Sequence, residues 1–242
     1  MNSATVFAIS PTFVDDSENS TKVTYLTPKL GSNGHSVQAG ITYAPNMYGQ
    51  GQETTLLNPS GQAAHVYENV IETGARYEGK FMDKVNAAAA FIFATADGTK
   101  DALLTGASAS DFSLWDIGAQ VGYAGFTVGG NYTDAGRLLT VAGQDKDQYV
   151  WTIGASYKFD RASLAGSYLS GAGYNNLGFG GAFVNNDTNY VTDYTAWGLG
   201  AGYSLFDGMT TSIDAVFFDQ DRTGTANDND GHVVILSNRV AF

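Results

Sequence analysis

Charged side chains recur at a fixed spacing in one stretch of the chain, where Glu68, Glu72 and Arg76 lie four residues apart. In an extended strand, successive side chains point to opposite faces, so residues an even number apart share a face. Ile71 and Tyr77 fall on the other face. We therefore expect Glu68, Glu72 and Arg76 to stack along one polar wall, where their charges would act on ions or polar solutes.

Residue patterns for catalysis or metal binding are weak. The sequence has no Cys, and its three His, at positions 35, 65 and 232, are scattered. No HExxH, GxSxG or P-loop motif occurs. The acidic segment 227–231 lacks the closing Glu of a calcium loop, so we interpret it as a solvated loop. We expect no catalytic residue, no metal site and no cofactor.

The overall charge excludes one class of partner. The formal net charge is −12, whereas proteins that bind nucleic-acid phosphates need clusters of Lys and Arg. We therefore expect no nucleic-acid partner. A negative balance favours a surface or vestibule that attracts cations.

The main structural signal is that apolar residues alternate with small or polar residues at a period of two. In the segment 148–159, Trp151, Ile153 and Tyr157 share an apolar face, while Thr152 and Gly154 lie on the other. The same pattern predicts about eleven strands. They lie near 20–29, 35–45, 65–79, 84–95, 111–123, 126–134, 147–159, 162–171, 193–205, 209–220 and 232–242, with a weak further candidate at 4–10.

The predicted connections alternate in length. Short ones near 30–34, 160–161 and 206–208 hold Gly, Asp and Asn, which suit tight hairpins. Long ones, such as 172–192 and 221–231, are rich in Gly or acidic residues. An up-and-down antiparallel sheet places all short turns at one end and all long loops at the other, as in outer-membrane barrels.

The strands fit a membrane better than a soluble sandwich. Predicted strands of about 10–12 residues match a tilted bilayer span of about 9–11, whereas strands of globular proteins average about 5–6. Aromatic residues stand near strand ends, where membrane barrels carry aromatic girdles. The girdle candidates are Trp115, Tyr123, Tyr149, Trp151, Tyr157, Phe159, Trp197 and Tyr203. We predict an all-β fold, a transmembrane antiparallel up-and-down β-barrel. A soluble β fold is the less favoured interpretation.

Two segments resemble a known family. The end of the chain, VVILSNRVAF, is similar to the last strand of Gram-negative outer-membrane proteins, whose final aromatic residue, here Phe242, is part of the assembly signal. The segments TKVTYLTPKL and HSVQAGITYAP resemble the strand pair that follows the inward-folded third loop of general porins, especially alphaproteobacterial ones. The turn 31–34 departs from that pattern.

This resemblance implies a function and a domain division. General porins are barrels of about sixteen strands that let ions and small hydrophilic solutes diffuse across the outer membrane. Residues 20–242 would be barrel strands, and 1–19 the rest of the constriction loop or a weak first strand. Asp15, Asp16 and Glu18 would be the acidic part of that loop, with Lys22 facing the lumen.

The same resemblance implies partners and leaves alternatives. We expect outer-membrane localisation, contact with lipid and lipopolysaccharide, a homotrimer, and a preference for cations. Because the strand pair would be the sixth and seventh, we also expect a fragment that lacks about five earlier strands. The other interpretation is a complete barrel of about twelve strands that acts as a translocator or an esterase or lipase. A Ser–His–Asp set can assemble from distant positions, so the sequence leaves the enzyme open.

Overall fold

The computed structural model describes residues 21–47, 67–82, 84–99, 110–138, 148–174, 190–222 and 228–240. The described residues form one antiparallel sheet and no helix. Its strands are β1 Val23–Leu26, β2 Leu30–Ser32, β3 His35–Met47, β4 Tyr67–Phe81, β5 Val85–Gly98, β6 Phe112–Tyr123, β7 Phe126–Gly136, β8 Gln148–Phe159, β9 Ala162–Tyr174, β10 Tyr190–Phe206, β11 Met209–Arg222 and β12 Asn229–Val240.

Each strand from β3 onward pairs with its neighbours in sequence, so the sheet is an up-and-down meander. Within the described residues the sheet stays open, with β1 and β12 at its edges. The predicted up-and-down antiparallel sheet is confirmed. The predicted strand 4–10 lies outside the described residues.

The first predicted strand, 20–29, is shortened to β1, and a second short strand, β2, occupies part of the predicted turn 30–34; both pair with β3. Pro28 stands between them and has no N–H to donate. Side chains replace the missing ladder at this point, because the Ala39 N–H donates to Thr27 Oγ1 over 3.0 Å and Gln38 Nε2 donates to the Thr27 carbonyl over 3.1 Å.

Tight turns join the strands at one end of the sheet, as the sequence predicts. Residues 33–34, 124–125, 160–161 and 207–208 form turns. Asn33 and Gly34 have φ of 52° and 81°, and Ala124 and Gly125 have 48° and 88°, the left-handed values that such hairpins require. We call this the short-turn end and the opposite one the long-loop end.

The two faces of the sheet differ in side-chain size and exposure. One face carries large apolar residues that no described residue covers: Ile117 is 51% exposed, Leu199 58% and Leu236 69%. The other face carries mostly small or polar residues and contains a cavity of about 450 Å³, so it is the concave face. A soluble sandwich would bury its apolar face, so this arrangement favours a sheet that turns its convex face to lipid.

Candidate functional site

Strand β4 carries a column of charges on the concave face. Glu72, Arg76, Glu78 and Lys80 stand an even number of residues apart and share the face of Gly74, so the pleat points them the same way. The Glu78 carboxylate forms ion pairs with two basic side chains. Lys29 Nζ lies 2.5 Å from one carboxylate oxygen, and Arg76 contacts the other. All three side chains are solvent-accessible, so these pairs stabilise the sheet little and mainly position charge on the wall.

A wall of small residues faces this column across the cavity. Ala88, Ala90, Gly118, Gly129 and Gly154, from strands β5, β6, β7 and β8, line the same 450 Å³ cavity as Arg76. A second cavity of about 330 Å³ continues toward the short turns and is lined by Glu78 and Lys80. At these positions small side chains leave room for solvent, as a water-filled lumen requires.

Polar side chains on this wall of small residues are linked by hydrogen bonds. Asn131 Nδ2 donates to Asp116 Oδ2 over 3.2 Å, and Thr133 Oγ1 donates to the same oxygen. The Thr152 hydroxyl donates to Asn131 Oδ1. The network spans β6, β7 and β8, so Asp116 is a fixed negative charge on the concave face rather than a mobile one.

The long-loop end of the concave face is packed instead of open. Tyr67, Val70, Phe112, Leu114 and Val150, which we call the packed cluster, are each at most 6% exposed. The rings of Tyr67 and Phe112 meet edge to face with centroids 4.7 Å apart. The alternation did not indicate this cluster, although Phe112 and Leu114 are apolar residues on the polar face of Asp116 and so interrupt the pattern.

A bulge in β4 changes the predicted column. Asn69 has φ of 54°, and the register with β5 shifts between Glu68 and Ile71. Tyr67 therefore lies on the concave face, whereas Glu68 is exposed opposite Asp97. The expectation that Glu68 shares one face with Glu72 and Arg76 is wrong, because the extra residue reverses the alternation.

The other predicted lumen residues have mixed placements. Glu72 and Arg76 lie on the concave face, and Lys22 is exposed just before β1. Asp15, Asp16 and Glu18, the predicted loop acids, and Phe242, the predicted assembly signal, lie outside the described residues.

The predicted girdle residues lie on the convex face, toward the two ends of the strands. Trp115, Tyr149, Trp151 and Trp197 stand nearer the long-loop end, and Tyr123, Tyr157, Phe159 and Tyr203 nearer the short turns. Neighbouring rings stack between strands, as in Trp197 with Phe217, whose centroids are 4.0 Å apart. Their role at the membrane interfaces stays a prediction.

Near the short-turn end, the structure shows a cluster that the alternation did not indicate. His35 Nδ1 and the Tyr77 hydroxyl lie 2.8 Å apart, and the His35 ring meets Phe81 edge-on with centroids 4.8 Å apart. Gly79 lies beneath them, and a Cβ there would meet both His35 and Tyr77. The pair Gly79 and Tyr77, two residues apart, is the sequence signal that could have indicated this arrangement.

No group of three or more His, Cys, Asp or Glu in the described part of the chain could hold a metal ion. None of the described segments is a helix long and apolar enough to cross a membrane.

The fold resembles solved outer-membrane proteins at low identity. The outer membrane channel DcaP of Acinetobacter baumannii is 10% identical, with a TM-score of 0.55, over 90% of this chain and 61% of its own. OprB of Pseudomonas putida is 14% identical, with a TM-score of 0.55, over 91% of this chain and 58% of its own.

An anion-selective porin from Comamonas acidovorans is 15% identical, with a TM-score of 0.52, over 91% of this chain and 59% of its own. The chain thus spans about three fifths of the length of these proteins. No curated protein sequence matches it.

The family is shown by the sequence itself. Residues 1–223 match the family described as Gram-negative porin, which is most of the chain. The chain therefore belongs to the Gram-negative porin family and is a protein of the outer membrane.

Proposed function

We propose that this protein forms a water-filled channel through which ions and small hydrophilic solutes diffuse passively, and that it is not an enzyme. One observation carries the proposal: the same strands expose large apolar residues on the convex face and small or polar residues on the concave face. In lipid, a sheet must turn its apolar face outward and close so that its backbone groups are paired. The concave face then lines a water-filled interior.

No described residue covers the convex face. Ile117, in the middle of β6, is 51% exposed, and Ile153, in the middle of β8, is 52% exposed. On the opposite face, Gly122 and Gly129 stand beside Gln120 and line the cavities. Lipid on one side and water on the other satisfies both sets of residues.

The proposal extends to the closed assembly. We expect a barrel of about sixteen strands of alphaproteobacterial type, assembled as a homotrimer in contact with lipopolysaccharide. The family membership and the resemblance of the strand pair at 21–45 support this expectation. Sedimentation of the protein in detergent measures the trimer directly, and a monomeric mass would contradict it.

The experiment for the channel is reconstitution of the folded protein in a planar bilayer. We expect current to rise in discrete steps as single channels insert, with no added energy source. The same protein, kept unfolded in urea until it is diluted into the chamber, is the control and should give few steps. A folded protein that inserts and yet gives no steps would overturn the channel.

We also propose that the channel prefers cations. The support is the net charge of −12 and the negative charge of Asp116 on the concave face. Electrostatic focusing in a charged lumen raises the local concentration of the counter-ion. A reversal potential measured across a salt gradient should have the sign for cation flow, and the opposite sign would contradict the preference.

A further inference from the structure

Two basic side chains on the concave face share one carboxylate. Lys29 and Arg76 contact opposite oxygens of Glu78, and we call these three residues the Glu78 trio. The Lys29 and Arg76 side chains are 58% and 65% exposed, so both keep N–H groups that face solvent. Two positive charges and one negative charge leave the trio positive, and the shared carboxylate holds the two bases close together. The trio can therefore attract an anion and donate hydrogen bonds to it.

The wall beside the trio carries no large side chain. On β5, Ala90 pairs with Arg76 and Ala88 pairs with Glu78, and both alanines line the cavity of about 450 Å³. Gly118 on β6 pairs with Ala90 and lines the same cavity. These small residues form a floor on which a solute has room to lie next to the Arg76 guanidinium.

Neutral polar groups stand on the far side of this floor. The Gln120 amide and the Ser167 hydroxyl line the cavity, are exposed, and form no hydrogen bond among the described residues. Ala88 separates Gln120 from Glu78, so the strands that carry Gln120 and Glu78 lie about 10 Å apart. Amides and hydroxyls both donate and accept hydrogen bonds, so these groups match the hydroxyl groups of a solute rather than a second charge.

We infer that this cavity binds a small hydroxylated carboxylate, such as an open-chain sugar acid. The inference rests on the proposed channel, because the solute reaches the cavity through the lumen. The carboxylate of the solute pairs with Arg76 and Lys29, and its hydroxyl groups bond to Gln120 and Ser167. A neutral sugar lacks the first set of contacts, and a plain carboxylate lacks the second.

This site is compatible with a channel that prefers cations. Asp116 shares a cross-strand row with Gly74, two residues from Arg76 toward the long-loop end, and Thr133 and Asn131 hold it there. Negative and positive groups thus occupy separate parts of the described wall. Small monovalent ions pass both parts, whereas the cavity retains only a solute that offers a carboxylate and hydroxyl groups together.

Three solutes of similar length separate the two sets of contacts. Gluconate has the carboxylate and the hydroxyl groups, glucose has hydroxyl groups without a carboxylate, and hexanoate has a carboxylate without hydroxyl groups. Each is added to both sides of a planar bilayer in about 0.1 M potassium chloride, where charges act over about 10 Å. Single-channel currents are corrected for the bulk conductivity of each solution. We expect gluconate to lower the current at about one tenth of the concentration that glucose or hexanoate needs.

Matched variants test the residues. Arg76→Gln should weaken the effect of gluconate about tenfold, because a charge-assisted pair is lost. Gln120→Ala should reduce the advantage of gluconate over hexanoate and leave hexanoate unchanged. Lys158→Gln is the control, since it removes a positive charge from the concave face outside the lining of both cavities. It should leave the effect of gluconate as it is in the unaltered protein. Current steps in the same recordings report that each variant has folded and inserted.

Every result decides between the alternatives. Equal effects of gluconate and hexanoate, or of gluconate and glucose, would overturn the site. An equal loss for Lys158→Gln and Arg76→Gln would overturn it too, because the effect would then follow the total charge of the lumen. Channels that conduct and do not respond to gluconate would overturn the site and leave the channel standing. Absence of steps from the folded, inserted protein would overturn the channel, and the site with it.

Discussion

The two faces of this sheet place apolar side chains of the same strands in opposite environments. On the convex face, Leu164 is 52% exposed, and no described residue packs against its outer surface. On the concave face, Leu114 is 1% exposed within the packed cluster. A leucine on the convex face is thus surrounded by fluid lipid, whereas a leucine in the packed cluster is surrounded by fixed protein side chains. The comparison teaches that apolar character alone does not tell which leucine stabilises the fold.

Truncating a leucine on each face should give the largest difference. Leu114→Ala leaves a void among fixed neighbours, and we expect it to lower the free energy of unfolding by about 2–5 kcal/mol. Leu164→Ala leaves space that lipid tails can fill, and we expect a loss nearer 1 kcal/mol, about the transfer of one or two methylenes. Urea unfolding in lipid vesicles, followed by tryptophan fluorescence, measures both.

These two variants test the comparison directly, because the deleted group is identical. Equal losses would mean that the convex face at Leu164 is covered by protein in the assembled form, or that the packed cluster tolerates voids. Either result would break the distinction between the faces as stated.

A charge placed on each face should have the next largest effect. Ile117 is half-exposed on the convex face in the middle of β6, so Ile117→Lys would place an ammonium group in hydrocarbon at a cost of about 2–4 kcal/mol. Gln120→Lys, on the concave face of the same strand beside the cavity, should cost little because water reaches it.

Folded yield is the measurement for this pair. The folded and unfolded forms of each variant can be separated by electrophoresis without boiling after insertion into vesicles. We expect a large fall in the folded fraction for Ile117→Lys and near wild-type folding for Gln120→Lys. If Gln120→Lys lowered the folded fraction more than the convex-face variant, the assignment of the convex face to lipid and the concave face to water would be wrong.

The strand positions were predictable because their signal is local. The segment 148–159 alternates along its whole length, and β8 occupies Gln148–Phe159 as expected from 147–159. The turn at Asn33 and Gly34 was predictable too, since both residue types accept positive φ. Each of these features depends on a few neighbouring residues and not on the rest of the sheet.

The features that were missed depend on distant strands or on a break in the pattern. Lys29 and Glu78 form an ion pair 49 residues apart, which no local spacing reveals. The bulge at Asn69 reverses the face of Glu68, although the adjacent apolar pair Val70 and Ile71 already interrupts the alternation. Periodicity predicts which residues share a face only as long as the pleat is unbroken.

The smallest expected effect compares two threonines on the concave face. Thr133 is 1% exposed and donates to Asp116, whereas Thr24 is exposed and shares a 3.0 Å hydrogen bond with Thr42. Thr133→Val removes a donor that water cannot replace in a packed site, and we expect a loss of about 1–3 kcal/mol. Thr24→Val leaves groups that water reaches, and we expect a change within about 0.5 kcal/mol.

The same unfolding experiment decides this last pair, with Thr133→Ser as the variant that keeps the donor. If Thr133→Ser retains most of the stability that Thr133→Val loses, the donated hydrogen bond is responsible rather than the methyl group. A loss for Thr133→Val no larger than for Thr24→Val would show that water reaches Asp116. The concave face would then be wet up to its long-loop end, and the division between a packed region and an open lumen would lie closer to the loops.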